Sequence, residues 1–319
     1  MRSLCRLRWP RFAGTLWTMP DSFPSLAGYA FAGAPLDRAD ALRDDADALA
    51  RLWPDARVLV LDADGTAFAD AAGQPFLTSG RELGGGPGAA IFLGMQAERA
   101  WFVVEAAMVT AQAPGRLDLR RAAAEWPADV AGVFCYARGM SYWHSRNRFC
   151  GVCGATVAFG RGGFIGRCGQ CGTEHYPRVD PAVIVAVEHD GRLLLGRQSS
   201  WAPRRWSVLA GFVEPGETFE QTVAREVFEE TRVRVIRADY LGTQPWPFPG
   251  ALMVGFRATA HGDVPRVDGE LEEARWFDAE EVGAALRREQ DDDGQGILLS
   301  PRISIARSLI EDWYRRQQA

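Results

Sequence analysis

The chain has 319 residues, 47% of them hydrophobic and 24% charged, and a net charge of −5. That composition excludes a disordered or fibrous chain and argues against a globally basic nucleic-acid binder, and no apolar run reaches the ~18 residues of a membrane span. All 36 cations are arginine, which excludes a lysine Schiff base, a P-loop lysine and a lysine general base.

The first 18 residues hold Arg2, Arg6, Arg8 and Arg11 and no acid. The pattern fits a transit segment or a start set upstream of a true first residue at Met19, and either way little order is expected. Residues 19–145 read as an N-terminal α/β domain. Within it, residues 57–62 form a β-rich run closed by the turn signal Asp64-Gly65. Residues 89–93 and 100–105 are strand-like, and the glycine-rich stretch 84–88 reads as a loop without the spacing of a phosphate cradle. Residues 117–143 have helical apolar spacing.

Residues 146–178 hold Cys150, Cys153, Cys168 and Cys171, spaced C-x2-C-x14-C-x2-C. Two such pairs suit a tetrahedral zinc ion, with a disulfide framework as the alternative. The stretch shows no signal-peptide pattern, so a reducing, cytoplasmic setting is expected. Short strands are expected near 156–159 and 164–167, and metal would supply the stability that so small a core lacks. Cys5 and Cys135 read as bystanders, Cys135 as a buried thiol.

In residues 179–319, strands are expected at 182–188, 192–196, 206–213, 232–236 and 251–258. Helices are expected at 217–230, 279–288 and 303–316. Asp291-Asp292-Asp293 reads as a solvated loop rather than a metal site. The chemistry concentrates in the segment from Gly211 to Val233. Thr218 and Gln221 have capping-box spacing. Glu226, Glu229 and Glu230, at i, i+3 and i+4, share one helix face and repel one another. A hard divalent cation would relieve that repulsion, while a solvated acidic face would also explain it, so spacing alone leaves both open.

The same segment resembles the Nudix box, GX5EX7REUXEEXGU, with Gly211, Glu217, Arg225, Glu226, Glu229 and Glu230 in register. Arg232 replaces the glycine after the helix. Thr243-Gln244-Pro245-Trp246-Pro247-Phe248-Pro249-Gly250-Ala251 is similar to the SQPWPFPxS signature of the NADH pyrophosphatases, with Ala251 in place of the last serine. That family carries a four-cysteine zinc ribbon ahead of the Nudix domain, as here. The resemblance implies a Nudix-type α+β (αβα) mixed-sheet sandwich behind the ribbon and the N-terminal region. It implies hydrolysis of NADH or NAD+ to a nicotinamide mononucleotide and AMP, and removal of NAD caps from RNA as a related activity. It implies Glu226, Glu229 and Glu230 as catalytic residues. Mg2+ or Mn2+ would be held by Ala210 (through its carbonyl), Glu226, Glu230 and Glu270, with Glu273 as the runner-up for Glu270, and one structural Zn2+ by the cysteines. Substrate contacts would come from Tyr176, Phe212, Gln244 to Ala251 and Ala306, within a homodimer.

Arg146, Arg148, Arg161, Arg167 and Arg178 gather around the cysteine pairs, as a solvated face or an RNA contact. Two other functions fit the same residues: a Nudix hydrolase of ADP-ribose or dinucleoside polyphosphates, and a zinc-ribbon nucleic-acid module fused to a non-catalytic Nudix fold.

Overall fold

A computed structural model describes residues 26–33, 36–267, 269–288 and 294–319. The expectations for residues 1–18, Met19, Cys5 and Asp291-Asp292-Asp293 lie outside the described residues.

The N-terminal part comprises α1 (Ala46–Leu52), β1 (Arg57–Leu61), β2 (Ala67–Ala69), β3 (Thr78–Ser79), α2 (Gly80–Leu83), β4 (Ile91–Gln96), β5 (Arg99–Glu105), β6 (Gly115–Leu117), α3 (Leu119–Glu125) and α4 (Ala128–Arg146). Its sheet runs β4-β5-β1-β2-β6, with β3 against β1. The sequence suggested one helical stretch over 117–143. The structure ends α3 at Trp126, whose extended backbone precedes Pro127, because a residue before proline is driven out of the α region. Then α4 covers one face of the sheet, burying Val133, Phe134, Ala137 and Met140 against Leu59, Trp101 and Val103. Cys135 is buried there too, and burial pushes its thiol up to about 12.

The cysteine module holds β7 (Val157–Gly160), β8 (Ile165–Cys168) and β9 (Glu174–His175) as a small antiparallel sheet. It is moored to α4: the His144 ring stacks on Phe159 at 3.8 Å, and its Nε2 lies 2.7 Å from the Gly163 carbonyl oxygen. Arg161 pairs with Asp40 and Asp44 of the N-terminal part.

The last part comprises β10 (Asp180–His189), β11 (Arg192–Arg197), β12 (Arg205–Trp206), β13 (Leu209–Phe212), α5 (Phe219–Thr231), β14 (Val235–Trp246), β15 (Ala251–Ala260), β16 (Glu273–Phe277), α6 (Ala279–Arg288), β17 (Leu298–Leu299) and α7 (Ile305–Gln317). Its mixed sheet runs β14-β15-β10-β11-β16, with β13 also on β10. β10 is parallel to β15 and antiparallel to β11 and β13. Strand alternation explains the layers. Val183, Val185 and Val187 pack with Val223 and Val227 of α5. Ile184 and Ala186 face Leu309, Ile310 and Trp313 of α7. This is the expected αβα sandwich.

Two expectations are corrected. The single strand over 206–213 is two, β12 and β13, which pair with different neighbours. The short strand over 232–236 is instead the 12-residue β14. It absorbs the first part of the proline-rich signature because Gln244, Pro245 and Trp246 pair in register with Met253, Leu252 and Ala251.

Residues 26–30 belong physically to the last part. The Leu26 N–H donates to the Leu241 carbonyl and the Ala30 N–H to the Ile303 carbonyl, and Leu26 and Tyr29 pack against the α7 core.

Candidate active site

The acidic helix is built as its capping signals dictate. Thr218 caps α5 and Gln221 closes the capping box. Gly216, at φ +96°, makes the turn ahead of it. Arg225 organises the carboxylates. Its Nε and Nη2 donate to Glu217 at 2.6 and 2.8 Å, and its Nη1 reaches Glu226 at 2.9 Å and Glu229 at 3.0 Å. Nη2 also donates to the Phe212 carbonyl oxygen at 2.9 Å, tying the helix to β13. The Arg225 guanidinium and the Glu214 N–H hold Glu217 down to about 2.

Gly211 on β13 faces this helix so closely that a Cβ there would stand 1.9 Å from the Glu226 carboxyl carbon. Glycine is therefore what lets Glu226 lie over the strand. Glu230 is only 5% exposed, and its Oε2 has no hydrogen-bond partner. Burial, followed by the charges of Glu270 and Glu226, pushes its carboxyl up to about 8. Burial likewise raises Glu226, to which Glu229 and Glu270 add their repulsion. Glu270 thus acts on both carboxylates, whereas Glu273 opens β16 opposite Arg197. Ala210 is exposed on β13, opposite Ile184. An orphaned buried carboxylate oxygen among like charges, with oxygen donors only, fits a hard divalent cation.

The four cysteine sulfurs all lie within 4.8 Å of one another, the one group of such ligand atoms this tight among the described residues. Cys153 and Cys168 are 3.4 Å apart and Cys150 and Cys171 3.7 Å, near the ~3.8 Å expected between thiolates on a tetrahedral zinc. Backbone N–H groups of Val152, Gln170 and Cys171 point at the sulfurs. Donation from the Thr173 hydroxyl and N–H lowers the Cys171 thiol to about 6. The glutamates around Glu230 are near one another but not drawn together to the same degree. His175, in β9, is not among the four ligand atoms.

Among the expected substrate contacts, Tyr176 and Phe212 are more than half exposed. The signature is not a loop but a hairpin. Gln244, Pro245 and Trp246 end β14, Ala251 opens β15, and Pro247, Phe248, Pro249 and Gly250 form the turn, with a cis Phe248–Pro249 bond. Two of its features turn inward. Gln244 is 1% exposed; its amide nitrogen donates to the carbonyls of Ala30 and Ile303, and its oxygen accepts from the Ile305 N–H. Both side-chain polar atoms are engaged, so Gln244 clasps the segment near Ala30 to the start of α7. Ala306 is likewise buried, in the core under α7, and its side chain cannot meet a ligand. Trp246 and Phe248 pack on the N-terminal core, under Arg120 and Arg138. Pro245, Trp246, Pro247, Gly250 and Ala251 line a cavity of about 700 Å³ between the three parts of the chain. Sequence reasoning missed the walls that α4, the residues before α1 and Phe164 of the ribbon supply.

Of the arginines around the cysteines, Arg148, Arg161, Arg167 and Arg178 pair with acids. That pairing leaves less free charge for RNA than the sequence suggests.

Comparison with known proteins agrees with this layout. A model described as the NUDIX domain matches residues 177–297, and one described as the NADH pyrophosphatase zinc ribbon domain matches residues 145–176. The chain is 40% identical over 289 residues to the NAD-capped RNA hydrolase NudC of Mycobacterium bovis (strain BCG / Pasteur 1173P2), covering 87% of this chain and 92% of that one. The figures are the same for the NAD-capped RNA hydrolase NudC of Mycobacterium tuberculosis (strain ATCC 25618 / H37Rv). The human NAD-capped RNA hydrolase NUDT12 is 43% identical over 197 residues, 58% of this chain and 42% of that one.

Proposed function

The chain belongs to the Nudix hydrolases that carry an NADH pyrophosphatase zinc ribbon, and on that premise we propose that it splits the pyrophosphate of NADH or NAD+ into a nicotinamide mononucleotide and AMP, including NAD+ that caps RNA. The observation that carries the reading is Glu230: a buried carboxylate with an unpartnered oxygen, under the charges of Glu270 and Glu226. Glu226, Glu230, Glu270 and the Ala210 carbonyl would hold Mg2+ or Mn2+. The chemistry supplied by such ions is neutralisation of the diphosphate and activation of a water.

The chain's own residues do the rest. Arg225 fixes Glu217, Glu226 and Glu229 in one array. Glu229, half exposed and held by Arg225, would accept a proton from the attacking water. Phe212, exposed beside this array, offers a face for a planar base. The cysteines would hold one closed, structural zinc. Residues Phe149, Val152, Tyr176 and Val179 are exposed around the ribbon, which supports a homodimer seated on that face.

The test is AMP release from NADH, NAD+ and NAD-capped RNA with Mg2+ or Mn2+. Glu230→Gln is expected to lower kcat by about 10³-fold, roughly 4 kcal/mol of barrier, with zinc content and melting temperature retained. Equal turnover by variant and parent would remove Glu230 from the reaction.

A further inference from the structure

The turn of the signature hairpin is gripped from outside the part of the chain it belongs to. From its own part, the Asp180 N–H donates to the Gly250 carbonyl oxygen at 2.9 Å. Around Pro247 and Phe248 the partners come from the N-terminal part. Arg138 of α4 donates from Nη1 to the Pro247 carbonyl oxygen, and its guanidinium carbon lies 4.7 Å from the centre of the Phe248 ring. Arg120 of α3 lies over the same ring at 3.9 Å. Phe31 packs on Trp246, their ring centres 6.1 Å apart. Gly139, one residue beyond Arg138, brings α4 close, since a Cβ there would meet the Pro247 Cβ at 3.9 Å.

Arg138 sits where a cation is not at ease. It is half-buried, and burial followed by the charge of Arg120 holds its guanidinium below the usual arginine value. Asp64 and Asp118 act on it through charge alone. Gly65, in the turn between β1 and β2, gives it room: a Cβ there would stand 2.7 Å from Arg138 Nε. Two arginines drawn to one phenyl ring repel each other, while the ring and the carbonyl oxygen attract them. Apolar side chains would hold two parts of a chain together without that repulsion. What the arginines add is direction, because a planar guanidinium stacked on a ring and bonded at its edge allows few orientations of the turn. The turn adjoins the carboxylates: Ala251 pairs with Asp180, and Phe212 with Ala182, two residues on and so about 7 Å along β10.

We infer that Arg138 is a positioning residue for the proposed reaction: with Arg120 it fixes the turn 247–250 from the N-terminal part, so that this part sets how tightly the substrate is held while the carboxylates set how fast it is split. Arg138 acts through the hairpin and not on the substrate. The inference rests on the proposed hydrolysis and on the hairpin meeting the dinucleotide, as the resemblance implies. It gives the N-terminal part, which supplies none of the carboxylates, a task in the reaction.

The experiment compares full-length Arg138→Gln and Arg120→Gln with a control, Arg121→Gln, which lies on α3 beside Arg120 but pairs with Glu125. Steady-state kinetics with NADH are read beside amide exchange, followed by mass spectrometry over residues 240–252. Arg138→Gln is expected to raise KM roughly five- to ten-fold, to leave kcat within about two-fold, and to speed exchange over the hairpin but not over α5. Arg120→Gln, at an exposed position, should raise KM about two- to three-fold, and it decides the matter if Arg138→Gln lowers the melting temperature. Arg138→Lys can still donate to Pro247 but cannot stack as a plane, so it should recover part of the affinity. Unchanged exchange over the hairpin overturns the inference. So does faster exchange with KM unchanged, or an equal rise of KM in Arg121→Gln. If the parent protein does not split NADH, the proposed function fails instead, and exchange alone decides whether Arg138 holds the turn.

Discussion

Three single residues carry more of the site than their size suggests. Gly211 is the first. Its missing Cβ is the space that Glu226 occupies, so Gly211→Ala must push the carboxylate off the strand. A loss of turnover of at least about 10²-fold is expected, of the order seen when one catalytic group is displaced by an ångström, measured as AMP release at saturating NADH. Arg232 is the second. It occupies the position where the motif has glycine, and its backbone takes the left-handed conformation a glycine would, at φ 61°. The sequence therefore departs from the motif without changing the turn. Arg232→Gly should relieve about 1 kcal/mol of strain and raise the melting temperature by a few degrees, with kcat unchanged; a lower melting temperature would contradict this. Glu230 is the third. Its folded carboxyl titrates at about 8, above the usual carboxylate value, so the folded protein without divalent ions holds a proton that the unfolded chain gives up. Stability without these ions should then fall as pH rises from about 5 to 8 and level off above that. Adding Mg2+ at pH 7 should release on the order of one proton, read in a weakly buffered titration. No release would separate Glu230 from the metal.

At the scale of elements, legibility in the sequence followed locality. The helix α5 and the cysteine pairs were readable because cap, face and ligand spacing lie within a few residues of one another. Thr218, Gln221 and the glutamate triplet stand where their spacing put them. Strand β14 was not readable, since it carries polar residues and a proline and owes its length to pairing with β15. Nor was the role of Gln244, whose three hydrogen bonds join residues 59 to 214 positions away. A motif shared with a family marks such a residue as needed without saying for what. The structure makes it a clasp between the hairpin, the segment near Ala30 and the start of α7. Gln244→Leu leaves the Ile305 N–H and the Ala30 carbonyl unpaired in the interior and takes one of two donors from the Ile303 carbonyl. It should cost roughly 2–4 kcal/mol, measured as a lower urea midpoint, while KM for NADH changes little in the protein that remains folded. A raised KM with unchanged stability would restore Gln244 to the substrate.

For the whole molecule, the ribbon is a joint between the other two parts. It is held on one side by His144 and Arg161, and leads through Tyr176 and Arg178 into β10 on the other. Chelating its zinc should expose residues 148–176 to protease and lower the melting temperature before activity is lost for any catalytic reason. Loss of turnover with stability intact would give that ion a chemical role instead. Among the described residues, no helix is long and apolar enough to cross a membrane. The way the segments interlock was not visible in composition and spacing, because Leu26, Tyr29 and Ala30 cross to the far end of the chain. A gene trimmed to its last two parts would thus encode a hydrolase body with an open seam: a bare carbonyl at Leu241, a Gln244 amide short of one acceptor, and a stripped flank beside α7. Expression of such a fragment should give insoluble product that a synthetic peptide spanning residues 24–33, added in trans during refolding, partly rescues.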